Sequence, residues 1–165
     1  MDLLNLENQA LYSDEEMPKI ISDLLAQAAN NYATGTAEFP LLHAYFLAPE
    51  NLAVLVALYR FYFYQHRSED ALLVAQRCLE VTGKRLNLPA WRHLTTEIMD
   101  NTQSMGLVRF YLLALKGAAY LKLRLRQFEE ARQMIDIIMS LDSKDQLGCS
   151  HLLNVLEEAK EADFA

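Results

Sequence analysis

Ala37 and Ala71 stand 34 residues apart, and their surroundings match at the same distance. Leu41 aligns with Ala75, Ala44 with Cys78, Pro49 with Gly83, and Leu24 and Leu25 with Leu58 and Tyr59. The spacing divides residues 18–85 into two consecutive units of equal length, 18–51 and 52–85. A third unit, 112–145, places Ala131, Ile135, Ile138 and Ser143 at the same offsets, 60 residues after the second set and so 26 beyond one period. A period of a few tens of residues marks stacked supersecondary units, each too small to bury its apolar face alone.

Within a unit the pattern reads helix, turn, helix. Residues 52–65 are apolar nearly all round, which predicts a helix covered on both sides. Ser68 is placed to cap the next helix, with Glu69 and Asp70 in a first turn where the macrodipole favours acids. Ala71, Ala75 and Cys78 recur at i, i+4, i+7, a stripe of small side chains that lets the first helix come close. Gly83 then marks the helix end. The third unit repeats this with Phe128, Ala131, Ile135 and Ile138 inside and Glu129, Glu130, Arg132 and Asp136 outside. Only 5 Gly and 4 Pro occur in 165 residues, so the frequent turns of an all-β chain are missing. The expected class is all-α, in one domain over 1–165.

The flanks suit a stack that must be closed. Ser13-x-x-Glu16 reads as a capping box ahead of Met17, Ile20, Ile21, Leu24 and Leu25. Ser143-x-x-Gln146 reads as another, opening a terminal helix over about 146–161. That helix has Leu152, Leu153, Leu156 and Ala159 on one side and Glu157, Glu158, Lys160 and Glu161 on the other, as a cap requires. The extra stretch at about 88–104 predicts an inserted helix from Pro89 to about Asp100, with Trp91, Leu94 and Ile98 inward. It also predicts a lengthened helix starting near Gly106.

The period and the two-helix unit resemble the tetratricopeptide repeat, whose unit is a 34-residue helix pair. "FEEA" (128–131) through "LDS" (141–143), "SEDAL" and "CLEV" in the second unit, and "LAPEN" (47–51) carry the likeness. The repeats are degenerate. The family's Trp at the fourth position is Ile21, Leu55 and Leu115, and its Gly at the eighth is Leu25, Tyr59 and Ala119. Pro40 falls inside the second helix of the first unit, which must therefore begin near Thr36. The resemblance implies a right-handed α-α superhelix whose first helices line a concave groove. Residue by residue it assigns to that groove Val56, Arg60, Phe63 and Tyr64, then Lys116, Tyr120, Leu123 and Arg124, and from the first unit Lys19, Ser22 and Asn30. Members that clamp a C-terminal carboxylate need Lys, Asn and Arg where this chain has Ser22, Ala26, Ala57, Leu113 and Gly117, so that mode is not expected.

Net charge is −7, which weighs against nucleic acid as a partner. Residues 1–83 carry 11 acidic and 4 basic side chains and hence all of it, while 84–165 carry 11 of each. Arg109, Lys116, Lys122, Arg124, Arg126 and Arg132 form a locally basic stretch, either a solvated helix face or a seat for an acidic segment. The most apolar run, Leu52 to Tyr64, is short and contains Arg60, so no membrane span is expected. Two lone cysteines and no basic, apolar leader point to a reduced, cytoplasmic setting.

Nothing nominates an enzyme, a metal or a cofactor. His43, His66, His93 and His151 are scattered, Cys149 and His151 have no third ligand nearby, and the five glycines form no phosphate loop. Cys78 reads as a packing residue. The expected function is non-catalytic binding of a protein or peptide segment by Arg60, Phe63, Tyr64, Lys116, Tyr120 and Arg124, as adaptor, assembly factor or chaperone. Tyr and Arg together are favoured at interface hot spots. Two alternatives stand beside it: a self-associating module that forms a homodimer through the apolar insertion around Trp91, and a helical enzyme whose site the sequence does not reveal.

Overall fold

The computed structural model describes residues 16–102 and 104–164, and among them all regular structure is helical. Eight α-helices follow one another: α1 (Lys19–Asn30), α2 (Glu38–Leu47), α3 (Leu52–Tyr64), α4 (Ser68–Arg85), α5 (Thr96–Asp100), α6 (Met105–Arg124), α7 (Phe128–Leu141) and α8 (Cys149–Phe164). Single 3-10 turns lie at Tyr32–Thr34 and Trp91–His93. Helices α1 and α2, α3 and α4, and α6 and α7 pack as hairpins, and α2, α4 and α7 also pack on α3, α6 and α8 in turn. Helix α1 touches α3 and α6 touches α8, while Phe63 meets Tyr120 across α3 and α6.

The stripes read from the sequence are the joints. Ala37, Leu41 and Ala44 of the first hairpin, Ala71, Ala75 and Cys78 of the second, and Ala131, Ile135 and Ile138 of the third are each at most 2% exposed. Small side chains there let the bulky α3 (Leu52, Leu55, Tyr59, Phe61, Tyr62) and α6 (Phe110, Tyr111, Leu115, Leu121) fill the space between second helices. Pro40 is the third residue of α2, in the first turn, where a missing N–H costs no helical bond.

Helix ends differ from the expected punctuation. Ser68 makes no side-chain cap; Arg67 is the N-cap residue, its guanidinium bonded to Asp70 at 2.8 Å and to Glu38 at 2.9 Å. The reason lies in the preceding turn. Helix α3 closes with Arg67 N–H donating to Tyr62 O and His66 N–H to Phe63 O, with His66 left-handed at φ 58°. Helix α6 closes identically, 60 residues on: Gln127 N–H donates to Lys122 O and Arg126 N–H to Leu123 O, with Arg126 at φ 61°. Chains leaving such a turn enter the next helix at once and leave no room for a serine cap.

Gly83 does not end α4, which runs on to Arg85 and closes through Asn87 at φ 52°. Gly83 is buried instead where Tyr111 crosses, and a Cβ there would lie 3.4 Å from Tyr111 Cε2. The insertion is not one helix. Leu94 takes an extended backbone that drops its side chain into the core, and Thr95 Oγ1 accepts from Ile98 N–H to start the five-residue α5. Trp91 is half-buried, with the Arg92 guanidinium 4.2 Å above its ring. Helix α6 begins at Met105, capped by Ser104, and is seven residues longer than α3.

The last helix starts at Cys149, not near Gln146. Asp142 takes over the expected role of Ser143, its carboxylate accepting from Gln146 N–H and Leu147 N–H at 3.0 and 2.8 Å, and Asp145 accepts from Ser150 N–H at 3.2 Å. Cys149, Leu152 and Leu156 form the buried face of α8. Ser13 lies outside the described residues.

Two outcomes follow from these joints. His66 is exposed and left-handed, so His66→Gly relieves a strained backbone and raises stability by about 0.5–1 kcal/mol in urea unfolding, despite the glycine's added unfolded-state entropy. Lys122, buried on α6, donates to Gln127 Oε1 and pairs with Glu130 at 2.7 Å. That hydrogen bond holds the Glu130 carboxyl below its ordinary 4.5. A carboxyl depressed in the folded state stabilises above its unfolded pKa and loses the effect as pH falls through the folded value. Glu130→Gln is thus expected to be less stable at pH 7 by no more than about 1 kcal/mol, the side chain being partly solvated, with the difference closing as pH drops below 4.5.

Candidate functional site

On a helix with eight buried side chains among thirteen, the remainder face one way. Ala53, Ala57, Arg60 and Phe63 of α3 are half-buried and Tyr64 is 46% exposed. The Arg60 guanidinium carbon sits 5.7 Å from the Tyr64 ring centre, and Tyr32 Oη donates to Arg60 O at 3.2 Å. Phe63 stacks on buried Tyr59 at 5.8 Å and meets Tyr64 edge-on at 5.4 Å. Across the hairpin boundary Phe63 also meets Tyr120 at 5.8 Å. Four of the six expected residues, Arg60, Phe63, Tyr64 and Tyr120, are thus brought into one cluster.

Arg124 lies one turn beyond Tyr120, exposed and outside every ion pair among the described residues. Positions 60 and 120 correspond, as do 64 and 124, so the two helices display Arg–Tyr and Tyr–Arg in reversed order. Lys116 shares the α6 face but is engaged: its ammonium donates to Leu147 O beside Gly148, tying the α7–α8 connection to α6. Val56 and Leu123, carried into the groove by the resemblance, are 1% and 7% exposed and belong to the core. Both point between helices because α3 and α6 are covered on their flanks by α4 and α7. In the first unit Lys19 pairs with Asp23 at 3.0 Å, and Ser22 and Asn30 are exposed.

Beside the cluster a pocket of about 520 Å³ opens between α1 and α3. Leu25, Ala28, Ala29, Leu41 and Ala57 make it apolar, and Tyr32, Arg60 and Tyr64 frame it. Sequence reading missed it. Its signal is the Ala28–Ala29 pair facing Ala57, where three small side chains leave room for a large one from elsewhere.

Other candidate chemistry disperses. Cys78 is fully buried and its thiol is pushed up to about 12, and burial raises Cys149 to about 11, so neither forms appreciable thiolate at neutral pH. Cys149 is buried while His151 is exposed. Among the described residues no three His, Cys, Asp or Glu side chains gather to hold a metal, and no helix is long and apolar enough to cross a membrane.

Fold and site together define an all-α protein of helical hairpins with one aromatic, cationic face. Over 161 residues the chain is 48% identical to an uncharacterized 19.8 kDa protein in the nifW 5′ region of Azotobacter chroococcum mcd 1, spanning 96% of this chain and 90% of that one. It belongs to the family of that protein. No family model and no solved structure matches it.

The cluster divides residues by role. Phe63→Ala, which removes the ring joining α3 to α6, is expected to cost about 2–4 kcal/mol, whereas Tyr64→Ala stays within about 0.5 kcal/mol. Denaturant unfolding of the two variants checks the split.

Proposed function

We propose that the chain is a tetratricopeptide-like superhelix and a non-catalytic binding module, taking a protein or peptide segment on the concave face of α1, α3 and α6. The observation that carries this reading is the Arg60–Tyr64–Phe63–Tyr120 cluster beside an open apolar pocket. Tyr and Arg combine rigid apolar area with hydrogen-bonding and cationic ends, and a pocket of this kind seats an anchor side chain. Arg60 and Arg124 favour a segment with carboxylates near that anchor, in a chain that is otherwise strongly acidic. The α1–α3 contact and the Phe63–Tyr120 ring contact between α3 and α6 support this reading, since such a groove is lined by neighbouring first helices. A cytoplasmic setting accompanies the proposal.

The relative's position in the nifW 5′ region makes products of genes neighbouring this chain's own the first partners to test. Purified candidates would be titrated against the full chain by calorimetry. Arg60→Glu with Arg124→Glu is expected to weaken binding about tenfold or more while leaving the melting temperature near its original value. A partner whose affinity is unchanged in this variant and in Tyr64→Ala would place binding elsewhere.

A further inference from the structure

The pocket between α1 and α3 is lined by one cation, Arg60, and by no acid. Its walls are apolar, with Leu25, Ala28 and Ala29 on the α1 side and Ala57 on α3. Helix α1 starts behind Pro18, whose φ −54° and ψ 141° are extended, and Met17 ahead of it is not helical either. The chain therefore arrives at α1 from off its axis, at the end of one wall of the pocket. Fifteen residues of the sequence precede Glu16, "MDLLNLENQALYSDE". They hold four of the chain's 22 acids, Asp2, Glu7, Asp14 and Glu15, and none of its 15 Lys and Arg. More than half of the net charge of −7 thus lies in this one segment, together with Leu3, Leu4, Leu6, Leu11 and Tyr12.

Resting on the concave-face reading above, we propose that this segment folds back antiparallel to α1, seats Leu11 and Tyr12 in the pocket and brings Asp14 and Glu15 to Arg60, so that the chain covers its own binding face. The reach is sufficient. A helix rises about 1.5 Å per residue, which puts Leu25–Ala29 about 9–15 Å along α1 from Lys19. Extended chain covers about 3.3 Å per residue, so Leu11 can lie up to about 23 Å from Pro18 and Asp14 up to about 13 Å. Leu11 and Tyr12 then pass alongside the pocket, and Asp14 comes level with Arg60, whose counterpart one period earlier on α1 is Ala26. The chemistry also matches. An apolar anchor beside carboxylates is what the pocket and its cation select, and Leu11-Tyr12 followed by Asp14-Glu15 is such a sequence. Tethering completes the case. A segment held this close has an effective concentration in the millimolar range, so a contact too weak to retain a free peptide is still occupied. A foreign segment must displace it, and binds more weakly by the fraction of chains in which the face is open.

Cross-linking in the full chain tests the seating. A short bismaleimide is expected to join L11C to A57C within one molecule, at a yield independent of protein concentration and about fivefold above that for L11C with F46C. Cys78 and Cys149 are buried and do not compete. Phe46, 83% exposed on the other helix of the same hairpin, reports what tethering alone gives. D14K/E15K is expected to bring the two yields together with the melting temperature retained. A fluorescent synthetic peptide of residues 2–16 is the second probe, read by anisotropy. It is expected to bind the full chain carrying L11E/Y12E about fivefold or more tightly than the unaltered chain, whose face is already covered. Equal yields at A57C and F46C, equal peptide affinity for the two chains, or no peptide binding to either overturns the proposal. Those outcomes leave the concave-face reading standing, and that reading fails separately if R60E/R124E leaves a partner's affinity unchanged.

Discussion

Close approach along small-residue stripes governs this molecule. Where Ala71 and Ala75 or Ala131 meet a neighbouring helix there is no side chain to hold the backbones apart, so α3 and α6 can be bulky and still be enclosed. Everything else follows from that enclosure. Helix α3 buries Tyr59, Phe61 and Tyr62 against its neighbours, and its surplus of large side chains then has one direction left, toward Ala53, Ala57, Arg60 and Tyr64. The candidate binding face is what remains of a helix after its core obligations are met.

The turns between helices are as repetitive as the stripes. His66 and Arg126 occupy the same left-handed position in identical hydrogen-bonded endings, each followed by a helix two residues later. Neither is glycine, so each junction accepts a strained residue in return for a three-residue linker. The first hairpin is different: a 3-10 turn and Gly35 at φ 74° lengthen its connection, and α2 is correspondingly short. That shortness brings Glu38 to the start of α2, where it meets Tyr62 and Arg67 and helps push the Tyr62 hydroxyl up to about 12, after burial.

The hairpins were legible in the sequence because their signal is periodic and repeated, with Ala37, Ala71 and Ala131 in register. Ends were less so. Gly83 and Ser68 are ordinary stop and start residues, but the backbone placed those functions at Asn87 and Arg67, and nothing in a residue type announces a left-handed asparagine. The insertion misled for a related reason, since Thr95 competes for a helix start that an apolar period alone would bridge. At the face, Arg60, Tyr64 and Tyr120 were assigned position by position through the resemblance to the tetratricopeptide repeat. Val56 and Leu123, assigned in the same way, are core residues instead, because their exposure depends on how neighbouring helices cross, and the α1–α3 pocket is made by residues too small to attract notice.

The longer α6 has a mechanical meaning. Its two added turns, residues 105–111, carry Phe110 and Tyr111 into the core, and Tyr111 crosses α4 at Gly83, beyond the reach of any single hairpin. In a plain repeat array each unit grips only its neighbours, and the ends can melt while the middle holds. Here one helix splints the second hairpin to the third over its whole length. Heat or denaturant is therefore expected to release the second and third hairpins together.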